Sequence, residues 1–386
     1  MTDKYDLRSY CEIHDIKPVV NLQRGSDFRL PQFREEVFLR FYEFHLEYAS
    51  HPGCVYYLMP HLFIELEMDL EQKLWFCYLN GVTQNLCTSY IIFKNFPNYD
   101  ETNLITRLEK WHAEHWRKLG YDTDRRYQKG HLVKMVKNYK EVVGSNQSGY
   151  FYRNTVLSGG ENFMDLWREV MDKFFMFGRL STFSYLEYLK IAGWHIDCPD
   201  LFLDDIQGSQ SHRNGLCKVL GRDDWDMHKS NPDNHSKIHT PELIEYLKVY
   251  AEKLLGNARA RFRSRMYLED VNYFTLESTL CTYKSWFRKN RRYPNVYNDM
   301  FVDRIRHAEK MWGKEFDIFW SYRKQRLPLE LRLEDNDWDV GLKPLKQNWF
   351  RGTGQVVMMD NYYTCFKNDY YDTCLLNKQQ ELFNAS

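Results

Sequence analysis

Apolar residues in this chain recur at spacings of three and four, and they alternate with polar ones almost nowhere. Phe163, Leu166, Trp167, Val170, Met171 and Phe174 trace one such stripe, with Gly178 as its stop. Asp69 and Gln72 form a capping-box pattern ahead of Leu70, Leu74 and Cys77, and Gly81 reads as that helix's end. Ser181 reads as the cap of a helix that buries Tyr185, Leu186 and Leu189 and ends before Gly193. Thr240-Pro241-Glu242 starts another, since proline at the first helical position gives up no needed hydrogen bond. That helix buries Leu243, Leu247, Tyr250 and Leu254 and is expected to stop at Gly256-Asn257. A longer pattern runs from Tyr297 to Arg323, broken near Gly313 and closed by Pro328. The best alternating stretch, Gly354 to Met359, is short. The pattern predicts an all-α or α-dominated fold.

A chain of 386 residues with 43% hydrophobic content buries a large core, which excludes a disordered protein. The polar break Gly144-Ser-Asn-Gln-Ser-Gly149 suggests an N-terminal helical lobe over 1–145 and a main lobe over 150–330, followed by an extension over 331–386. Within the main lobe, 197–241 is rich in Asp, Gly, Ser, Asn and His and reads as long polar loops, a length that usually carries function. No apolar run is long enough to cross a bilayer, and the first residues lack a signal-peptide pattern. The expectation is a soluble, cytosolic protein with no membrane partner. Nine scattered cysteines without a CxxC argue against a disulfide framework or a thiolate zinc site.

Lysines and arginines number the same as aspartates and glutamates, so any contact with a polyanion must be local. One segment departs from that balance. Between Arg259 and Lys310, twelve Lys and Arg face six acids, interleaved with Tyr267, Tyr273, Phe274, Tyr283, Trp286, Phe287, Tyr293 and Tyr297. Cations neutralise phosphates and rings stack on exposed bases, so the mixture suits a nucleic acid; the alternative is a solvated helical surface over an aromatic core. Arg259, Arg261, Arg263 and Arg265 alternate, whereas Arg288, Lys289, Arg291 and Arg292 gather before Pro294. Arg259, Arg263, Arg288, Lys289, Arg291 and Arg292 are the candidate DNA-backbone grips.

Chemistry has fewer places to sit. A P-loop, a Rossmann turn and a GxSxG elbow are all missing. The richest polar cluster runs from Asp204-Asp205 through His212-Arg213 to Arg222-Asp223-Asp224, from which a general base and a phosphate clamp could be built. The alternative is a surface loop tied by Asp–Arg pairs. His228, His235 and His239 read as an exposed His-rich loop in preference to a metal site, and His112 and His115 as packing residues among Trp111 and Trp116. Trp75, Asn80, Gln84 and Asn85 put amides beside aromatics at a helix end, suited either to an extruded base or to a capped junction.

These pieces, in order, resemble the phage amino acid:DNA transferases, also described as α-glutamyl/putrescinyl thymine pyrophosphorylases. The resemblance rests on Phe41-Tyr-Glu-Phe-His-Leu-Glu-Tyr48, Ser50-His-Pro-Gly-Cys-Val-Tyr-Tyr57, Asp69-Leu-Glu-Gln-Lys-Leu-Trp75 and Leu79-Asn-Gly-Val-Thr-Gln-Asn85. Asn214-Gly-Leu216, Gly221-Arg-Asp-Asp224 and Leu276-Glu-Ser-Thr-Leu-Cys-Thr-Tyr-Lys284 leading to Arg292-Tyr-Pro294 extend it over about residues 30 to 330.

The resemblance implies a helical, two-lobed architecture related to the DNA-glycosylase fold. It also implies a phage-encoded enzyme in the host-cell cytoplasm acting on double-stranded phage DNA whose 5-hydroxymethyluracil has been activated by phosphorylation. An amino acid or polyamine, such as glycine or putrescine, would displace pyrophosphate to give a hypermodified thymine that evades restriction. Under that reading Asp204, Asp205, His212, Asp223 and Glu277 are candidate bases, and Cys281 is a candidate thiol for addition to the pyrimidine, the alternative being a buried inert thiol. Arg213, Arg222 and Lys284 would hold the leaving group. Trp75, Asn80, Gln84, Asn85 and Tyr283 would receive the flipped base. No cofactor is called for and no metal ligand set is assigned, although a divalent cation is compatible with the chemistry. Two other readings use the same residues: a non-enzymatic nucleic-acid-binding protein, and a glycosylase-like base hydrolase.

Overall fold

The computed structural model describes residues 34–153, 156–225, 239–283, 296–313 and 316–327, and every regular element among them is helical. The helices are α1 (Arg34–Glu47), α2 (Val55–Glu65), α3 (Leu70–Thr83), α4 (Leu86–Asn95), α5 (Leu104–His115), α6 (Leu132–Val143) and α7 (Gln147–Arg153). They continue as α8 (Gly159–Lys173), α9 (Arg179–Ile191), α10 (Gln210–Val219), α11 (Pro241–Arg261), α12 (Tyr273–Tyr283), α13 (Val296–Trp312) and α14 (Asp317–Arg326). Among the described residues no helix is long and apolar enough to cross a membrane. The short strand candidate at Gly354–Met359, with the whole of 331–386, lies outside the described residues.

Most helix starts follow the sequence signals. The Asp69 carboxylate accepts from the Gln72 amide, whose side chain accepts from the Asp69 amide in return. Ser158 and Glu161 do the same for α8, and Thr240 caps α11 with Pro241 in its first turn. Several expected ends fall elsewhere because packing overrides them. Helix α3 runs through Gly81, whose bare Cα faces the Phe177 and Tyr185 rings, and stops at Gln84 in the left-handed region. Helix α11 continues past Gly256 and Asn257 to Arg261, since Leu254, Leu255 and Ala258 are all buried and Asn257 donates to Glu35. The cap of α9 is Gly178, which leaves Ser181 buried inside the helix. The polar tract 197–241 is not all loop: α10 lies in its middle.

Contacts divide the chain into two units. The first gathers described residues up to Pro52, from Leu201 to Met300 and from Arg323; the second spans Gly53–Asp200 and Phe301–Tyr322. The break near residue 145 therefore falls inside the second unit. That unit is built around stacked rings. Tyr78 lies 3.7 Å from Tyr139 and 5.7 Å from Phe177, nearly parallel to both, with Tyr185 edge-on. The polar ends of these rings are satisfied, Tyr78 Oη donating to the Met135 carbonyl and Trp75 Nε1 to that of Phe96.

The first unit is held by α1, α10, α11 and α12 around Phe38, Phe41, Tyr42, Leu216, Leu247, Leu254, Leu276 and Leu280. Its tightest crossing joins α10 to α12. A Cβ on Gly215 would sit 2.7 Å from the Leu280 carbonyl carbon and closer still to its oxygen, so only glycine permits this approach. Gly215→Ala is expected to push the two helices apart and to destabilise the protein by about 1–3 kcal/mol, read as a lower urea midpoint at unchanged m-value. A midpoint equal to wild type would show that the crossing tolerates a side chain.

Candidate active site

Helix α12 is mostly buried yet carries the polar side chains Thr275, Glu277, Ser278, Thr279, Cys281 and Thr282 and the Tyr283 hydroxyl. Thr279 and Thr282 bond back to the carbonyls of Thr275 and Ser278 at 2.7 and 2.8 Å, and Thr275 meets the Tyr42 hydroxyl at 2.6 Å. Glu277 and Cys281, one turn apart, project from the other side of the helix. His212 on α10 completes a group of three.

The Nε2 of His212 is 2.9 Å from the Leu201 carbonyl oxygen. A carbonyl can only accept, so this nitrogen carries the proton. The Nδ1 atom then turns toward Glu277, 3.0 Å from Oε1. Cys281 Sγ is 3.5 Å from the same oxygen, and all three donor atoms fall within 4.8 Å of one another. His212 and Glu277 are buried and Cys281 is partly open. An imidazole lone pair, a carboxylate and a sulfur thus converge where water is largely absent. Such a group holds a proton or a cation, and it can take a proton from a bound amine.

The other sequence-predicted site residues are spread more widely. Asp204 is exposed and paired with Lys248 at 2.6 Å, while Asp205 accepts from the Gly208 amide and closes a turn. Arg213 is fully buried, its guanidinium donating to the Leu203 and Ile206 carbonyls and to Ser209, so its work is to fix the approach to α10. Arg222 is half-exposed, paired through two bonds with Asp224 and lying 3.8 Å over the Trp225 ring. Asp223 belongs to the short turn Asp223–Trp225, and its side chain lies outside the description. Lys284, Arg288, Lys289, Arg291, Arg292, His228 and His235 fall outside the described residues. His239 is buried against the Trp225 carbonyl. His112 faces the Lys129 carbonyl and His115 stacks edge-on to Trp111 and Trp312, both in packing roles.

The base-reading candidates are engaged within the protein. Trp75 is wholly buried in the ring stack of the second unit. Asn80 accepts from Ser89, and Asn85 caps α4 while donating to Asp122 at 3.1 Å. Gln84 reaches Ser184 at 3.5 Å. Tyr283, in the first unit, is buried between Phe38 and Phe41 with its hydroxyl on the Arg34 carbonyl. Of the arginines at and just beyond the end of α11, Arg259 donates to the Val271 carbonyl, Arg261 and Arg265 face Glu43, and Arg263 is exposed.

The profile of the family described as amino acid:DNA transferase matches residues 56–292, a span that includes His212, Glu277 and Cys281. A serinyltransferase of Salmonella phage ViI is 29% identical over 290 residues, covering 72% of this chain and 69% of that protein. No solved structure matches.

His45, Ser50 and His51 lie in the motifs that carry the family resemblance, with no role expected for them. In the first unit His45 and His51 are buried edge-on to one another with centroids 5.2 Å apart, and Thr279 lies 3.3 Å from the His51 ring. Neither ring nitrogen of His45, nor the Ser50 hydroxyl, has a hydrogen-bond partner among the described residues. A histidine beside aromatics is the only signal the sequence offered, and many packed histidines share it. Burial, and then the neighbouring His51, holds His45 well below the ordinary imidazole range; burial pushes His51 down to about 3.

Both rings are therefore neutral in the fold, whereas in the unfolded chain they protonate near the ordinary value of 6.5. Their contribution is fully present above pH 6.5 and is lost as the pH falls from there toward the folded values. The expected loss is up to about 1.4 kcal/mol per pH unit for each ring. Urea midpoints between pH 7 and pH 5 should fall less steeply in His45→Phe than in wild type, and equal slopes would contradict the buried neutral assignment.

Proposed function

The chain belongs to the amino acid:DNA transferase family, and from that membership we propose that it joins the amine of an amino acid to an activated 5-hydroxymethyl pyrimidine in DNA. In this reaction a nitrogen–carbon bond forms at the exocyclic carbon as the carbon–oxygen bond breaks. Pyrophosphate leaves with the electron pair, and the ammonium proton passes to a base. The observation that carries the reading is the buried meeting of His212, Glu277 and Cys281 inside the matched span. Glu277, held by His212, is the proton acceptor, because both groups share one buried oxygen-to-nitrogen contact of 3.0 Å.

Arg222 is the described cation best suited to the departing pyrophosphate, since its guanidinium is half-exposed and would exchange the Asp224 carboxylate for phosphate oxygens. The exposed Arg263 supplies part of the electrostatic hold on the DNA backbone. Serine is the first amine to test, given the serinyltransferase relative. The target base would have to leave the duplex to reach a buried reaction centre.

The full-length protein, DNA carrying pyrophosphorylated 5-hydroxymethyluracil and labelled serine, glycine or putrescine provide the test. Amine incorporation with pyrophosphate release is expected. Glu277→Gln should lower kcat by about 10²–10⁴-fold with unchanged DNA affinity. Abasic sites without incorporation would replace the reading with a base hydrolase, and DNA binding alone with a non-enzymatic binder. Arg263→Ala should weaken DNA binding and flatten its salt dependence; identical binding curves would remove this arginine from the DNA contact.

A further inference from the structure

The three groups on α10 and α12 share one property: each is a Lewis base. With Nε2 committed to the Leu201 carbonyl, His212 presents its Nδ1 lone pair, and that atom has no well-formed hydrogen bond although His212 is only 1% exposed. A histidine whose other nitrogen donates to a backbone carbonyl is in the orientation that metal-binding histidines adopt, because the outer bond fixes the tautomer and aims the lone pair. Glu277 Oε1 is 3.0 Å away and Cys281 Sγ lies 3.5 Å from that oxygen. Around a zinc ion with bonds of about 2.0–2.3 Å, tetrahedral donors sit roughly 3.3–3.7 Å apart, so small rotations would bring the three into place.

We infer that His212, Glu277 and Cys281 form a binding site for a single divalent transition-metal ion of the zinc class. The donor set decides the class. Sulfur and imidazole nitrogen favour zinc over magnesium or calcium, which take oxygen ligands. Among the described residues three ligands converge, and a three-ligand set with a fourth position for water or substrate is the arrangement of reactive zinc sites. The scaffold is suited to holding such an ion, since Glu277 and Cys281 lie one turn apart on one helix and Gly215 lets α10 bring His212 against them. With an ion bound, Glu277 would be its ligand, and the Lewis acidity of the ion would keep an incoming amine uncharged. Metal binding itself is independent of the transferase reading and is measured without substrate.

Full-length protein purified without chelators is equilibrated with zinc, desalted and analysed by elemental mass spectrometry. About one zinc per chain is expected, falling at least ten-fold in Cys281→Ala and in His212→Ala, with circular dichroism confirming that the variants remain folded. Loading wild-type protein with cobalt(II) gives a second readout that does not depend on variant folding. A thiolate-to-cobalt charge-transfer band in the near ultraviolet is expected, and Cys281→Ser should lack it. Wild-type protein that retains no more zinc than Cys281→Ala, or a cobalt spectrum without the thiolate band, would overturn the inference whatever the outcome of the transfer assay.

Discussion

The approach of α10 to α12 at Gly215 is the constraint on which the first unit depends. Two helices ordinarily cross with their axes about 8–10 Å apart, the gap being filled by side chains. Here the Gly215 Cα meets the Leu280 backbone directly, and nothing larger than hydrogen fits between. That closeness has a consequence one turn away on each helix. His212 lies three residues before Gly215 on α10, and Glu277 and Cys281 lie on either side of Leu280 on α12. Beside that close approach the imidazole lies 3.0 Å from the carboxylate. The glycine has no chemistry of its own, yet it sets the distance at which the chemistry occurs.

Much of the architecture was legible in the sequence, and the places where it was not are instructive. The caps at Asp69, Ser158 and Thr240 act within four residues and depend on little beyond local geometry. Helix ends were less legible, because glycine has two uses. Gly81 and Gly256 looked like stops, but Gly81 makes room for the Phe177 and Tyr185 rings, and Gly256 sits between buried leucines and Ala258. Whether a glycine ends a helix or lets another element approach depends on what lies opposite, and that information is not local. Gly313, with nothing against it and a φ of 59°, does end α13 as read.

The site shows the same division. Glu277 and Cys281 were identified as a pair at helical spacing, and His212 as part of a polar cluster, but their meeting could not be read from residues 65 positions apart. Arg213 and Asp204, next to and near His212 in sequence, illustrate why proximity along the chain is a poor guide. On α10 His212 faces α12, whereas Arg213 turns toward the Leu203 and Ile206 carbonyls and Asp204 remains in solvent with Lys248. The basic segment divides similarly. Helix continuation to Arg261 commits Arg259 to a backbone carbonyl and sets Arg261 and Arg265 against Glu43, so alternation in sequence does not become one positive face.

Helix α12 also shows how a buried element separates structural polarity from chemical polarity. A buried hydroxyl can satisfy itself by bonding to the carbonyl four residues back, as Thr279 and Thr282 do, at little cost and without a partner from elsewhere. A carboxylate has no donor to offer, and Glu277 accepts from the Cys281 thiol one turn along its own helix, whereas the His212 Nδ1 lone pair has no hydrogen bond among the described residues. Their close approach in a buried place is eased by a positive charge between them, a proton or a metal ion. The threonines of α12 are therefore compatible with any function, including none. Glu277 and His212 carry a larger desolvation cost, and apolar groups of the same size are often as stable or more stable in such positions. They meet at the crossing where Gly215 brings α10 against α12, so the polar pair and the closest helix approach of the first unit coincide.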